Sequence, residues 1–111
     1  MREWDARAAA ENLVEGLRAD GWDLSLPRYV THDVSAASED EAEAVAADLQ
    51  RAGYLVEVEG YDADRERWEL QAREGRKIAV TPDSLTAAVD QIKRILGRRA
   101  WLSGIAVAAE T

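Results

Sequence analysis

The chain has 111 residues, with 14 Lys and Arg against 22 Asp and Glu, and its formal net charge is −8 at pH 7. A length of this order is typical of one domain with its own core, so we expect a single domain over residues 1–111. The sequence has no cysteine, which excludes disulfides, cysteine zinc sites and thiol nucleophiles. The acidic balance disfavours direct binding to nucleic acid and favours a basic protein surface as partner.

Membrane and cofactor signals are missing from the sequence. No apolar run approaches the roughly 20 residues that a membrane-spanning helix needs. Charged residues such as Glu3, Asp5 and Arg7 interrupt the segment where a signal peptide would have its apolar core. The glycines are single and scattered, which does not fit a phosphate-binding loop. We therefore expect a cytoplasmic protein with no membrane contact and no cofactor.

The first predicted element is an N-terminal helix within residues 1–20, beginning at Glu3 and ending before Gly21. Its apolar residues recur at helical spacing and form one stripe, namely Ala6, Ala10, Leu13, Val14 and Leu17. This stripe needs a cover. The sequence leaves open whether that cover is a sheet edge near Leu24 and Leu26 or a second copy of the chain, which would make a homodimer.

The core is expected within residues 26–109, and its first half contains two strand patterns and a helix. Alternating residues predict a strand over Arg28–Val34, with Val30, His32 and Val34 on one face. Ser38 and Glu41 form a capping box that begins a helix, and Gly53 ends it. A second strand is predicted over Tyr54–Glu59, with Tyr54, Val56 and Val58 pointing inward.

The second half of the core repeats this order. A hairpin loop over Gly60–Glu66 leads to a third strand over Arg67–Arg73. Residues 75–80 either extend that strand after a bulge or form a short strand of their own. Thr81 as cap and Pro82 at the first helical position begin the last helix, which precedes a final strand over Trp101–Ala109.

The order β-α-β-β-α-β predicts an α+β fold of the ferredoxin-like type, with a four-stranded antiparallel sheet and two helices on one face. The other sheet face would be charged and open to water. The carboxylates that we predict to contact a basic partner are Asp33, Glu57, Glu59 and Glu69 on the strands, with Glu39 and Glu43 at a helix start. For the two helix residues, stabilisation of the helix dipole is the alternative interpretation.

His32 is the only histidine of the chain. We predict a structural role for it, beneath the helices, and likewise for Trp68 and Gly53. A metal site would need three or four ligands, and only carboxylates could complete it. Use of His32 as a general base is a further alternative, but the sequence offers no set of substrate-positioning groups, so we expect no enzyme. Tyr54 and Trp68 are predicted to face the helices, which disfavours RNA stacking on the open face.

Residues Asp20–Val107 resemble the regulator of ribonuclease E activity B family, the small ribonuclease E inhibitors. The likeness is carried by RYVTHDVSA, by the helix SEDEAEAVAADLQRAGYLVEV, by RWELQA around Trp68 and by the helix that begins with Thr81-Pro82. The resemblance implies a ferredoxin-like fold and a non-enzymatic module that modulates RNA decay by binding an endoribonuclease of the ribonuclease E type.

Members of the family usually carry an Asp-Gly-Trp turn before or within the final strand, where this chain reads Arg99-Ala100-Trp101. If that turn contacts the target, its loss predicts a changed target or binding mode.

The alternative function is a self-associating structural or small-ligand-binding domain that is unrelated to RNA decay.

Overall fold

The computed structural model describes residues 5–109, which contain three helices and one four-stranded sheet. The elements are α1 (Ala6–Ala19), β1 (Val30–Ala36), α2 (Glu39–Arg51), β2 (Leu55–Asp62), β3 (Arg67–Arg73), α3 (Pro82–Leu96) and β4 (Ala100–Val107). All neighbouring strands are antiparallel, in the order β2-β3-β1-β4, so β2 and β4 form the two edges. No helix between residues 5 and 109 is long and apolar enough to cross a membrane.

The predicted caps begin α2 and α3. Ser38 Oγ accepts a hydrogen bond from the Glu41 amide at 3.2 Å, and Thr81 Oγ1 accepts one from the Ser84 amide at 3.1 Å. In α1 the cap is Asp5, whose Oδ1 accepts from the Ala8 amide at 3.0 Å. The sequence prediction began this helix at Glu3, which lies outside the described residues.

The main core lies between the sheet and two helices, as predicted. The buried residues of α2 and α3 are Ala42, Val45, Ala46, Leu49, Leu85, Val89, Ile92 and Leu96. Most of them pack against the sheet residues Val34, Leu70, Ala72 and Leu102. Val34 is directly opposite both Leu70 and Leu102, and cross-strand partners share a sheet face. Both helices therefore cover the same face.

The stripe of α1 is covered by α3. Ala10 and Val14 are buried with Val80 and Leu85, at the start of α3. The expected sheet edge also contributes, because Leu24 and the β4 residues Ile105 and Val107 are partly buried against this cluster, whereas Leu26 is 48% exposed. The start of α3 and the edge strand β4 together provide a cover within the chain itself.

Residues 75–80 make one isolated bridge instead of a strand. The amide of Ile78 donates to the Arg28 carbonyl, and the Arg28 amide donates to the Ile78 carbonyl, both at 2.9 Å.

The predicted hairpin loop was too long, because β2 continues through Gly60 to Asp62. A bulge between Val58 and Gly60, with φ 112° at the glycine, lets the strand pass a residue that the sequence interpretation placed in a turn.

Candidate protein-binding surface

The sheet face that the two helices leave free carries mostly polar and charged side chains, and we call it the open face. The register places Glu57, Gln71, Asp33 and Gly104 in one row across the four strands. The other open-face residues are Thr31, Ser35, Leu55, Gly60, Asp62, Arg67, Glu69, Arg73, Trp101 and Ala106. A groove of about 420 Å³ runs beside Leu55, Glu57, Gln71 and Arg73. This face therefore combines a row with two carboxylates, two arginines and a shallow recess.

Asp33 lies near the middle of the open face. Gln71 Nε2 donates to its Oδ1 at 3.4 Å, and a methyl group added to Gly104 would lie 2.8 Å from its Oδ2. The missing side chain at Gly104 thus makes room for the carboxylate. Asp33 is half-buried, which lowers the screening of its charge by water.

Glu69 is held by its neighbours on the same face. Ser35 Oγ donates to Glu69 Oε2 at 2.9 Å, and Arg67 Nε donates to Glu69 Oε1. Ser35 is fully buried, and because its one hydrogen goes to Glu69, its oxygen accepts from the Ser103 hydroxyl, 3.2 Å away. Because Arg67 balances its charge, Glu69 contributes less to the negative potential of the open face than Glu57 does.

The structure distributes the six predicted contact residues over two sides of the sheet. Asp33, Glu57 and Glu69 share the open face. Glu59 is exposed at the bulge of the edge strand β2. The remaining two, Glu39 and Glu43, are exposed on α2, in the layer that covers the opposite face. Four of the six therefore lie on the open face or along β2, and the two helix residues lie apart from them.

Apolar side chains exposed on β2 were missed by the sequence interpretation. Leu55, Val58 and Tyr61 are 55%, 49% and 54% exposed. Val58 was predicted to point inward, and it does lie on the helix-covered side, opposite the buried Leu70. It stays half-exposed because an edge strand has a neighbour on one side only. The alternation of residues along β2 correctly predicted the sheet face on which Val58 lies, but the exposure of its side chain depends on the order of the strands in the sheet.

His32 lies fully buried on the helix-covered side of the sheet. Its Nε2 is 2.7 Å from Oε2 of Glu74, whose side chain is 15% exposed, and its ring packs edge-on against Tyr54 with centroids 6.2 Å apart. Trp68 is half-buried and packs on Tyr61, with ring centroids 5.7 Å apart. Gly53, at φ 100°, links α2 to Tyr54.

A cleft of about 480 Å³ lies beside Tyr54 and Glu74. Burial, together with the charge of Glu74, raises the pKa of Tyr54 to about 12. An unfolded tyrosine titrates near pH 10, so the unfolded chain loses this proton first as the pH rises. Ionisation of the unfolded state should therefore lower the free energy of unfolding between pH 10 and 12, by roughly 2–3 kcal/mol.

The variant Tyr54→Phe isolates this effect, because it removes the hydroxyl and keeps the ring. We expect urea unfolding at pH 8, 10, 11 and 12 to show a steeper alkaline loss of stability for the natural chain than for Tyr54→Phe. The same pH dependence in both proteins would contradict the assignment.

An Asp-Gly-Trp tripeptide does occur in this chain, at Asp20-Gly21-Trp22, directly after α1. Gly21 has φ 84°, and the guanidinium carbon of Arg28 lies 5.0 Å from the Trp22 ring centroid. The sequence interpretation looked for this tripeptide near Trp101 and overlooked it here.

Comparison with known proteins places the chain in a family. The family model described as Regulator of ribonuclease activity B matches residues 7–98, which is most of the 111-residue chain. The match begins at the second residue of α1, a helix that lies before the stretch Asp20–Val107 on which the resemblance rests, and it ends before β4. A search of the curated proteins finds no match. The chain belongs to the regulator of ribonuclease activity B family.

Proposed function

We propose that this chain is a non-catalytic module that regulates RNA decay by binding an endoribonuclease of the ribonuclease E type. Membership of a family of ribonuclease regulators supports this function. The geometry of His32 also supports it, because a fully buried ring held by Glu74 is poorly placed to meet a substrate.

We also propose that the sheet is of the ferredoxin-like type. The strand order supports this assignment: β3 lies between β1 and β2, and β1 lies between β3 and β4. Each of the helices α2 and α3 therefore connects two strands across a third, which is the split β-α-β arrangement.

The observation that supports the proposed function most strongly is the row of the open face that contains two carboxylates. Glu57 is exposed and Asp33 half-buried in the same row of this face, in a chain of net charge −8. A basic segment of the endoribonuclease would be attracted to this row over a distance of about 8–10 Å, and salt would weaken the attraction. Occupation of that segment by this chain would deny it to RNA.

The double variant Asp33→Asn/Glu57→Gln tests this surface with nearly unchanged side-chain shapes. We expect it to lower the affinity for the purified endoribonuclease about tenfold, equivalent to about 1.4 kcal/mol, as measured by isothermal titration calorimetry at low salt. The difference from the natural chain should shrink at higher salt.

The matched control is Glu15→Gln/Asp90→Asn, which removes the same charge from exposed positions on α1 and α3. Its affinity for the endoribonuclease should stay within about twofold of that of the natural chain, because both residues lie on helices and not on the open face. If both double variants weaken binding equally, the loss of affinity comes from net charge and not from the open face. If Asp33→Asn/Glu57→Gln binds as tightly as the natural chain, the assigned surface is wrong.

A further inference from the structure

We propose that the partner binds as an extended basic segment that adds a fifth strand along the free edge of β2. This inference rests on the proposed function, and it specifies where and in what conformation the partner binds. It combines three observations: the position of β2 in the sheet, the exposed apolar side chains on both of its sides, and its carboxylates.

The first observation is the position of β2 at the end of the sheet. Within residues 5–109, β2 pairs with β3 on one side and with no strand on the other. An edge strand presents unpaired N–H and C=O groups along its outer side, and these groups can pair with another extended chain. The backbone of β2 can therefore hold a partner in a defined register.

The second observation is that the exposed apolar residues of β2 lie on both sides of the sheet. Leu55 is on the open face, opposite Arg73, whereas Val58 and Tyr61 are on the helix-covered side, opposite Leu70 and Trp68. A ligand lying flat on the open face would not contact Val58 or Tyr61. A strand paired with the edge of β2 would contact both sets, because its own side chains alternate between the two sides.

The third observation is the charge along this edge. Glu57 and Glu59 are both exposed and interrupt the apolar residues of β2. Antiparallel pairing of two copies of β2 would bring carboxylates together, and the bulge at Glu59 further disfavours it. A strand in which Lys or Arg alternates with apolar residues would meet the carboxylates and the apolar side chains together. The edge therefore selects a basic partner over another copy of this acidic chain.

The stretch before the bulge is the best place for this pairing. Leu55–Val58 pairs with β3 in continuous register, and the groove of about 420 Å³ lies beside Leu55 and Glu57. Arg73 also lines this groove, but its guanidinium carbon lies 4.7 Å from the Tyr29 ring centroid, so a basic side chain of the added strand that enters the groove would meet Glu57. Glu57 therefore contributes to both surfaces, and the contacts of Val58 and Tyr61 distinguish the edge from the open face.

Val58→Lys tests the edge, because it places a positive charge where the basic strand would lie. The matched control is Ala87→Lys, also at an exposed position but on α3, away from both the open face and β2. We expect Val58→Lys to weaken binding of the endoribonuclease at least tenfold, while Ala87→Lys stays within about twofold. Circular dichroism and urea unfolding would establish that both variants are folded.

A capped eight-residue peptide of alternating arginine and valine tests the strand conformation directly. We expect it to bind the natural chain, as followed by fluorescence anisotropy, and to bind Val58→Lys much more weakly. Two further peptides carry N-methyl groups on alternate amides, one on the odd-numbered and one on the even-numbered residues. Only one set of amides faces β2, so we expect one of these peptides to lose binding and the other to keep it. Equal effects of the two methylation patterns, or failure of the peptide to bind at all, would overturn the proposal.

The same experiments separate this inference from the proposed function. If the endoribonuclease binds the natural chain and Val58→Lys equally well, strand addition is wrong and the proposed function stands. If the endoribonuclease does not bind whereas the peptide binds in the predicted pattern, the proposed function is wrong and the β2 edge remains a binding site for basic strands.

Discussion

Replacing His32 by leucine (His32→Leu) should lower the free energy of unfolding by about 2–4 kcal/mol, although leucine fits a buried apolar position. His32 Nε2 lies 2.7 Å from Glu74 Oε2, and the Glu74 side chain is only 15% exposed. Removal of the ring would leave a largely buried carboxylate without its partner, which costs more than the loss of the hydrogen bond alone. Urea unfolding at neutral pH would measure the loss.

A second substitution identifies the cause of that loss. In the double variant His32→Leu/Glu74→Met the carboxylate is gone, so we expect part of the stability to return. The cycle of single and double variants should give a coupling of about 1 kcal/mol or more. A His32→Leu variant as stable as the natural chain would contradict a structural role for the pair.

Gly75→Ala should lower the free energy of unfolding by about 1–3 kcal/mol, because a methyl group at this position would lie 2.5 Å from the carbonyl oxygen of Gly53. The obstacle is backbone, which cannot turn away as a side chain could. One or both of the segments beside the cleft would have to move, and both Tyr54 and Glu74 lie directly beside these glycines.

The matched control is Gly16→Ala in α1, where the added methyl group would meet nothing within 4 Å apart from its own stretch of helix. It should raise the free energy of unfolding by about 0.5–1 kcal/mol, because alanine favours the helix. A Gly75→Ala variant within about 0.5 kcal/mol of the natural chain would contradict the close approach of the two backbone segments.

Local signals in the sequence were sufficient to predict most of the elements. The capping pairs Ser38 with Glu41 and Thr81 with Pro82 mark the two helix starts, because caps involve residues a few positions apart. Alternation correctly placed Val30, His32 and Val34 on the buried side of β1. Interactions between near neighbours in the chain decide these features.

What the sequence did not reveal depends on residues far apart in the chain. The cover of α1 is formed by residues near Leu85, and the partner of His32 is Glu74; neither follows from spacing. The extension of β2 past Gly60 depends on its pairing with β3, which turned an apparent turn residue into part of a bulge.

The candidate surface was predicted only in part, because some of its features depend on residues that are far apart in the chain. Alternation was sufficient to bring Asp33, Glu57 and Glu69 to one face. The separation of Glu39 and Glu43 from that face follows from the packing of α2 on the other side. The exposure of Val58 and Tyr61 depends on the place of β2 at the edge, which only the assembled sheet establishes.

Binding of this protein should slow the endoribonuclease, so the measurement to make is the rate at which an enzyme of the ribonuclease E type, from the same organism, cleaves a labelled RNA as this protein is added. We expect a dose-dependent fall in the cleavage rate that weakens with salt and is smaller for Asp33→Asn/Glu57→Gln than for Glu15→Gln/Asp90→Asn. An unchanged rate at every concentration, with the enzyme active and this protein folded, would contradict regulation by binding.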